Sequence, residues 1–477
     1  MSSTVTQQQP SIPGLAPIPF IGSKLAMIRF FSDPIGILQT LHKEHGDIAS
    51  LNRGDLSFVC AFGPEHNQQL LSNARAFHNF AELPVPLPQD SAALRFNTNL
   101  TAMNGKLHRQ QRRLMMPAFH KKTVDSYRDD MVAVAEHHFA KWPINGRFDL
   151  KQALIDLTLD VMMKSLFGLE IDGNGSSLGH LAMEFLTRIT SMGVMAFPVN
   201  LPGTPFNRFL TFCEEMEQEF LKIIRERRAM KERPRDVLSI LIDTHDEDGA
   251  NLTDEELVGQ TGLLFVAGHE TTAFTLIWTL FLLMQHPRVY ANLLDELEGK
   301  VQGRYPTIAE LNDLPLLDAV LKESMRLIPA TPFLFVRRGT EPFQLGSYQF
   351  PADAKVIVSP LVTHHMPELY PEPERFKPER WFSIKPTAFE YLPFGAGPRM
   401  CIGAGFATLE AKLVLSAVVQ RFRLTLADNL QVDHKVQGIT LGPKQAIPTH
   451  IFPQDRQFGP PKRVTGTVHE LVTLPKH

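Results

Sequence analysis

One cysteine closes the stretch Phe394-Gly395-Ala396-Gly397-Pro398-Arg399-Met400-Cys401-Ile402-Gly403, and its surroundings suit a reactive, metal-binding sulfur. The glycines let the backbone pass close to a flat partner. Residues 404–416 (AGFATLEAKLVLS) read as a helix, which places Cys401 near a helix N-terminus. Unpaired N–H groups there stabilise an anion, and the thiolate is the form that binds metal. Arg399 stands two residues earlier, where a guanidinium can pair with a carboxylate. A lone cysteine is more often a small buried hydrophobe, but the full F-G-x-G-x-R-x-C-x-G spacing argues against that. Cys60 and Cys213 are the only other cysteines and no C-x-x-C pair occurs. A four-cysteine zinc or iron–sulfur site is therefore not indicated.

A charged pair lies upstream. Residues 314–328 (LPLLDAVLKESMRLI) carry Leu317, Val320, Leu321 and Ile328 at helical spacing, and Pro315 suits a first turn. Glu323 and Arg326 are three apart and share one face. Alone, such a pair is usually solvated. Here it precedes Phe376-Lys377-Pro378-Glu379-Arg380-Trp381 and then the cysteine loop.

Between residues 259 and 284 runs a long apolar helix, interrupted by Ala267-Gly268-His269-Glu270-Thr271-Thr272. Its length would span a bilayer, which takes about 20 residues. His269 and Glu270 at mid-length oppose that, because ionisable groups at bilayer depth are costly. A core helix is expected, with a hydroxyl free to bond back to its own carbonyls. Further upstream, residues 106–122 (KLHRQQRRLMMPAFHKK) hold six Lys or Arg and no acid. On a helix, His108 and Arg112 share one face, and Arg109 and Arg113 the next. An ordinary solvated basic face is the competing explanation.

In this order, from about Pro13 to about His450, the motifs resemble those of the cytochrome P-450 family. The resemblance implies a mainly α fold, a single large domain of about a dozen helices with a small β-sheet region. It implies heme b (iron protoporphyrin IX) with an axial thiolate from Cys401, and O2 as co-substrate. Such a thiolate pushes electron density onto the iron and favours O–O cleavage. Glu323, Arg326 and Arg380 would form a buried network beneath the haem, with Arg375 a competing third member. Ala267, Gly268, Glu270 and Thr271 match the oxygen-handling motif. Gly268 would leave room for O2, and Glu270 and Thr271 would deliver protons as general acids, with Thr272 a possible substitute for Thr271. His108, Arg112 and Arg399 would bind the haem propionates, as would Arg337, with Arg338 as the alternative. Phe394, Gly395 and Gly403 would shape the loop around the cofactor. Lys106, Arg109 and Arg113 would face outward on the cysteine side.

Several elements must position these groups. The chain has 477 residues, 43% of them hydrophobic, and a formal charge of −3, so a large core is expected and nothing suggests nucleic acid binding. Residues 47–62 read as two strands around Arg53-Gly54-Asp55, and residues 341–360 add more strand. Expected boundaries are a disordered arm at 1–12, the haem domain at 13–452 and an extension at 453–477 without assignable chemistry. The polar, proline-punctuated start lacks a signal peptide or anchor, which suggests a soluble, cytoplasmic, bacterial-type enzyme; sparse cysteine suggests a reducing compartment.

By the resemblance, the substrate pocket would be lined by residues 78–104, 185–212, the long apolar helix and residues 330–336, including Phe80, Phe96, Phe197, Phe206, Phe333 and Phe335. A hydrophobic substrate follows: a fatty acid, terpenoid, steroid or polyketide. The expected activity is an O2-dependent monooxygenase, a monomer fed by a separate ferredoxin or flavodoxin and an NAD(P)H-dependent reductase. A peroxide-driven haem-thiolate enzyme and a non-catalytic haem or gas-binding protein are the alternatives. An intact Glu270-Thr271 pair favours the monooxygenase.

Overall fold

The computed structural model describes residues 11–16, 29–81, 85–169, 191–245, 249 and 251–475, with isolated positions between 181 and 188. It divides into two compact units. The first comprises Met1–Ala81, Thr331–Pro373 and Lys385–Cys401; the second comprises Glu82–Ala330, Glu374–Ile384 and Ile402–His477.

The first unit is built on a five-stranded mixed sheet. Its order is Ile48–Ser50, Phe58–Ala61, Lys355–Val358, Arg337–Gly339, Phe77–Asn79. The first two strands pair antiparallel, Ile48 opposite Ala61, across the Arg53-Gly54-Asp55 turn. Phe58–Ala61 and Lys355–Val358 run parallel. Val59, Ala61, Val356 and Val358 bury their side chains with Leu70, Leu71 and Phe350. Leu392 and Ala396, from the run into the cysteine loop, join this same core, and the buried Leu392 N–H donates to His364 Nε2 at 2.9 Å. The loop is thus seated on the sheet by burial of its apolar residues. Residues 1–10 of the expected arm lie outside the described residues. Ile12, assigned to that arm, is instead buried in the sheet core.

The second unit is mainly helical. Its centre is the helix Asp254–Gln285, opened by a reciprocal capping box between Thr253 and Glu256. It starts five residues earlier than the apolar run indicates, because the cap, not hydrophobicity, sets that end. This is the one helix among the described residues long and apolar enough to cross a membrane. Leu276, Ile277, Trp278, Leu280 and Phe281 are wholly buried in the protein core. Around it lie Gly105–Phe119, Leu150–Phe167, Pro205–Ala229, Pro315–Leu327 and Ala404–Arg421. A three-stranded sheet, Arg147–Asp149, Pro448–Pro453 and Phe422–Leu426, and a hairpin, His434–Gln437 with Thr440–Pro443, complete the frame.

The C-terminal segment is a packed part of the second unit, not an appendage. Val464–Thr465 pairs in parallel with Leu430–Gln431. Val468, Leu471 and Val472 are buried, and the Thr473 N–H donates to the Glu374 carbonyl at 2.8 Å. The apolar segment is only a few residues long, too short for a periodicity argument to assign it.

Candidate active site

Of the three cysteines, Cys60 and Cys213 are buried while Cys401 is exposed. Burial pushes the Cys60 and Cys213 thiols far up, so both stay protonated. The Cys401 backbone is held by its N–H, which donates to the Phe394 carbonyl at 2.9 Å. The bend between them has two left-handed glycines, Gly395 and Gly397, each at φ +68°. At Gly397 a Cβ would stand 2.2 Å from the Leu71 carbonyl oxygen. Only glycine fits there, on conformation and on space. Gly403 is the N-cap of Ala404–Arg421.

The first unit also gathers positive charge. Arg337 is buried and its guanidinium donates to Asn79 Oδ1. Burial first, then the charge of Arg399, pulls Arg337 down to about 10. His78 is lowered by partial burial and then by Arg338 and Arg399. Cations that repel one another in a half-buried setting form a site for anions such as carboxylates.

In the second unit, Glu323, Arg326 and Arg380 come together. Arg326 Nε donates to Glu323 Oε2 and Arg326 Nη2 to Glu323 Oε1, both at 2.9 Å. Arg380 Nε reaches Oε1 at 2.9 Å. Arg375, the competing arginine, contributes its carbonyl, which accepts from Arg326 at 3.3 Å. Two further donors were not apparent in the sequence: the Lys377 N–H at 3.0 Å and the Trp381 indole at 2.9 Å. Trp381 is adjacent to Arg380, so the F-x-P-E-R-W run contained the signal.

The long helix is laced by side chains. Thr271 Oγ1 donates to the Ala267 carbonyl at 2.8 Å and Thr272 Oγ1 to the Gly268 carbonyl at 3.1 Å. Thr272 is buried, whereas Ala267 is exposed and Thr271 partly so. Leu263, Val266, Ala267, Glu270 and Thr271 thus form the less buried strip of a core helix. Thr271 is on this strip and Thr272 is not. At Gly268 a Cβ would fall 1.8 Å from Met162 Cε, the end of a flexible side chain on Leu150–Phe167, so the bare glycine also lets these two helices pack closely. Glu270 is largely buried and held above the usual carboxylate range, chiefly by desolvation; a hydrogen bond from Thr440 and the charge of Lys151 oppose this.

His108 and Arg112 occupy the inward side of Gly105–Phe119, His108 buried and Arg112 partly so. Lys106, Arg109, Arg113, Lys121 and Lys122 are exposed. Gln111, which no sequence motif singles out, pins this helix by donating to Glu256 at 2.5 Å and accepting from Gln260 at 3.2 Å. Of the expected pocket aromatics, Phe96 and Phe206 are buried in the second unit and Phe333 in the first. Phe80 and Phe335 are partly buried in the first unit. Phe197 is 69% exposed, and Val199 and Leu201 beside it are exposed as well.

The sequence profile of the Cytochrome P-450 family matches residues 12–449, and the chain belongs to that family. It is 32% identical over 443 residues to cyclooctatin synthase of Streptomyces melanosporofaciens, covering 90% of this chain and 94% of that protein. It is 30% identical to cyclooctat-9-en-7-ol 5-monooxygenase of the same organism, covering 88% and 92%. A solved structure of a retinoic acid-bound cyanobacterial CYP120A1 superposes with a TM-score of 0.80 at 26% identity, covering 93% of this chain and all of that one. The protein is a bacterial-type P-450 monooxygenase with a mainly α fold. The family uses a haem with a cysteine thiolate ligand. The residues described fit that group: an accessible thiol, a glycine bend only glycine can make, and cations suited to carboxylates.

Proposed function

We propose that the chain inserts one oxygen atom from O2 into a hydrophobic small molecule of the terpenoid class, with Cys401 as the iron ligand. The observation that carries this reading is the contrast among the cysteines: Cys401 alone is exposed, in a loop seated on a rigid sheet core. The terpenoid class is supported by the relatives that oxidise such compounds. When bound, a thiolate-ligated haem supplies O2 binding and the electron push for O–O cleavage.

The chain's own residues do the rest. Arg337 and Arg399, with His108 and Arg112, neutralise the two propionates by charge-assisted hydrogen bonds. Glu323, Arg326 and Arg380 hold the segment leading into the cysteine loop. Thr271 and Glu270 pass protons to the oxygen being cleaved, a general-acid role; the raised affinity of Glu270 for its proton suits it to that task. Electrons come from a separate ferredoxin or flavodoxin with an NAD(P)H-dependent reductase. The exposed cations Lys106, Arg109 and Arg113 attract an acidic partner. The place of action is the cytoplasm.

The test is spectroscopic. The ferrous carbonyl complex is expected to show the red-shifted Soret band of a thiolate-ligated haem, and Cys401→Ser to lose it along with the activity. Retention of the band in Cys401→Ser overturns the assignment. A spectral binding screen of cyclic terpenoids against fatty acids and steroids then tests the substrate class.

A further inference from the structure

Two contacts press the hairpin His434–Gln437/Thr440–Pro443 onto one face of the long helix, and a third ties it to Leu150–Phe167. The Trp278 indole donates to the Leu441 carbonyl at 3.0 Å. Gly442 approaches so closely that a Cβ would stand 2.4 Å from the Phe274 ring. Lys151 Nζ donates to the Pro443 carbonyl at 2.8 Å. Glu270, Phe274 and Trp278 are spaced four apart, so they form one stripe of that helix. The hairpin that covers Phe274 and Trp278 therefore sets the first residue of its second strand, Thr440, against Glu270. Thr440 Oγ1 lies 2.8 Å from Glu270 Oε2 and 3.0 Å from the Gln437 carbonyl oxygen.

A hydroxyl has one proton to give and lone pairs to receive. Here two acceptors stand within reach of that single proton. With Glu270 ionised, the hydroxyl donates to its carboxylate. With Glu270 protonated, the carboxyl donates to Oγ1 and the hydroxyl turns to the Gln437 carbonyl. Neither state strands a buried polar group, which would otherwise cost about 1–3 kcal/mol. We propose that Thr440 is a positioning residue for proton delivery: its hydroxyl swings between Glu270 and the Gln437 carbonyl so that Glu270 can both hold and release a proton. The inference depends on the reading of Glu270 as the proton-delivering acid. The charge facing Glu270 is Lys151, which itself stands beside Asp149 and Lys435. Lys151 favours the ionised form while desolvation favours the protonated one, and Thr440 serves both.

The experiment is an infrared titration of the Glu270 carboxyl band in the resting protein, the band being assigned by its loss in Glu270→Gln. Thr440→Val removes the hydroxyl at constant shape. It is expected to tighten proton binding by Glu270 roughly tenfold, because the hydrogen bond lost by the ionised carboxylate is charge-assisted and stronger than the one lost by the protonated carboxyl. Thr440→Ser is expected to restore the native titration, and Thr440→Ala to behave as Thr440→Val does. In turnover, the valine variant diverts a several-fold larger share of electrons to hydrogen peroxide. An unchanged titration in Thr440→Val, or a serine variant that titrates like the valine one, overturns the proposal. Turnover is not needed for the titration. Loss of the monooxygenase reading through a missing thiolate band is therefore a separate result.

Discussion

The Trp381 indole donates to Glu323 Oε2 at 2.9 Å, and Arg380, its neighbour in sequence, donates to Oε1 at the same distance. One wholly buried carboxylate thus collects donors from its own helix and from a segment more than fifty residues later. A buried ion pair by itself is weak evidence for stability, because desolvation offsets the Coulomb gain. Breaking one is another matter.

Removal of either partner leaves the other as an uncompensated buried charge. Glu323→Ala and Arg326→Ala are each expected to lose about 3–5 kcal/mol and to purify depleted of haem. Trp381→Phe, which keeps the ring and removes one neutral donor, should lose only about 0.5–1.5 kcal/mol. Thermal unfolding and haem content per chain check this. Normal values for both charge deletions would mean that the network supports neither folding nor haem retention.

The glycine bend makes a sharper comparison. Gly397→Ala combines a left-handed conformation, costing about 1–2 kcal/mol, with a clash against the Leu71 carbonyl. Gly405, in the first turn of the next helix, has nothing within 4 Å of an added Cβ. Gly405→Ala is expected to be neutral or to stabilise by up to about 1 kcal/mol. Equal melting temperatures for the two variants would contradict the geometry of the loop.

Thr271→Ala is expected to bind haem and substrate normally yet to send electrons to hydrogen peroxide or water. Thr272→Ala, which loses a buried hydroxyl on the core side of the helix, should show a lower melting temperature with coupling intact. The ratio of product formed to NAD(P)H consumed distinguishes them. Full coupling in Thr271→Ala would move the alcohol's role elsewhere.

Glu410 predicts a pH effect on stability. It is buried within Ala404–Arg421, and its Oε1 accepts no hydrogen bond among the described residues. Burial holds its carboxyl well above the ordinary value of 4.5. The folded protein keeps this proton above pH 4.5, whereas the unfolded chain releases it. Glu410's contribution is therefore fully present below pH 4.5 and is lost as pH rises towards its raised folded value. The slope is about 1.4 kcal/mol per pH unit at most. Glu410→Gln removes that slope, so its advantage over the native protein in denaturant unfolding should grow between pH 5 and pH 8. Parallel profiles would mean that Glu410 is ionised in the fold.

For the electron partner, Arg109→Glu combined with Arg113→Glu is expected to slow reduction about tenfold or more at low salt and to flatten its salt dependence. Peroxide-supported activity and haem content should survive, since His108 and Arg112 lie on the other side of the helix. Stopped-flow reduction across ionic strengths measures this. A rate and slope equal to the native values would place docking elsewhere.

Much of this molecule is legible without coordinates because its chemistry is written in short, local patterns. The cysteine loop, E-x-x-R, A-G-H-E-T-T and the basic helix each span a few residues, and helix periodicity places them on faces. The two strands around Arg53-Gly54-Asp55 follow from alternation and turn chemistry in the same way. What only the tertiary structure decided are the contacts between distant segments. Trp381 reaches Glu323 across 58 positions, Gln111 reaches Glu256 across 145, and Thr440 reaches Glu270 across 170. No local propensity encodes such meetings. They exist because burial of apolar faces brings the segments together and each buried polar atom must then find a partner. Gly268 shows the same division from the other side: the sequence marks a residue without a side chain, but only packing reveals that Met162 Cε would lie 1.8 Å from a Cβ there.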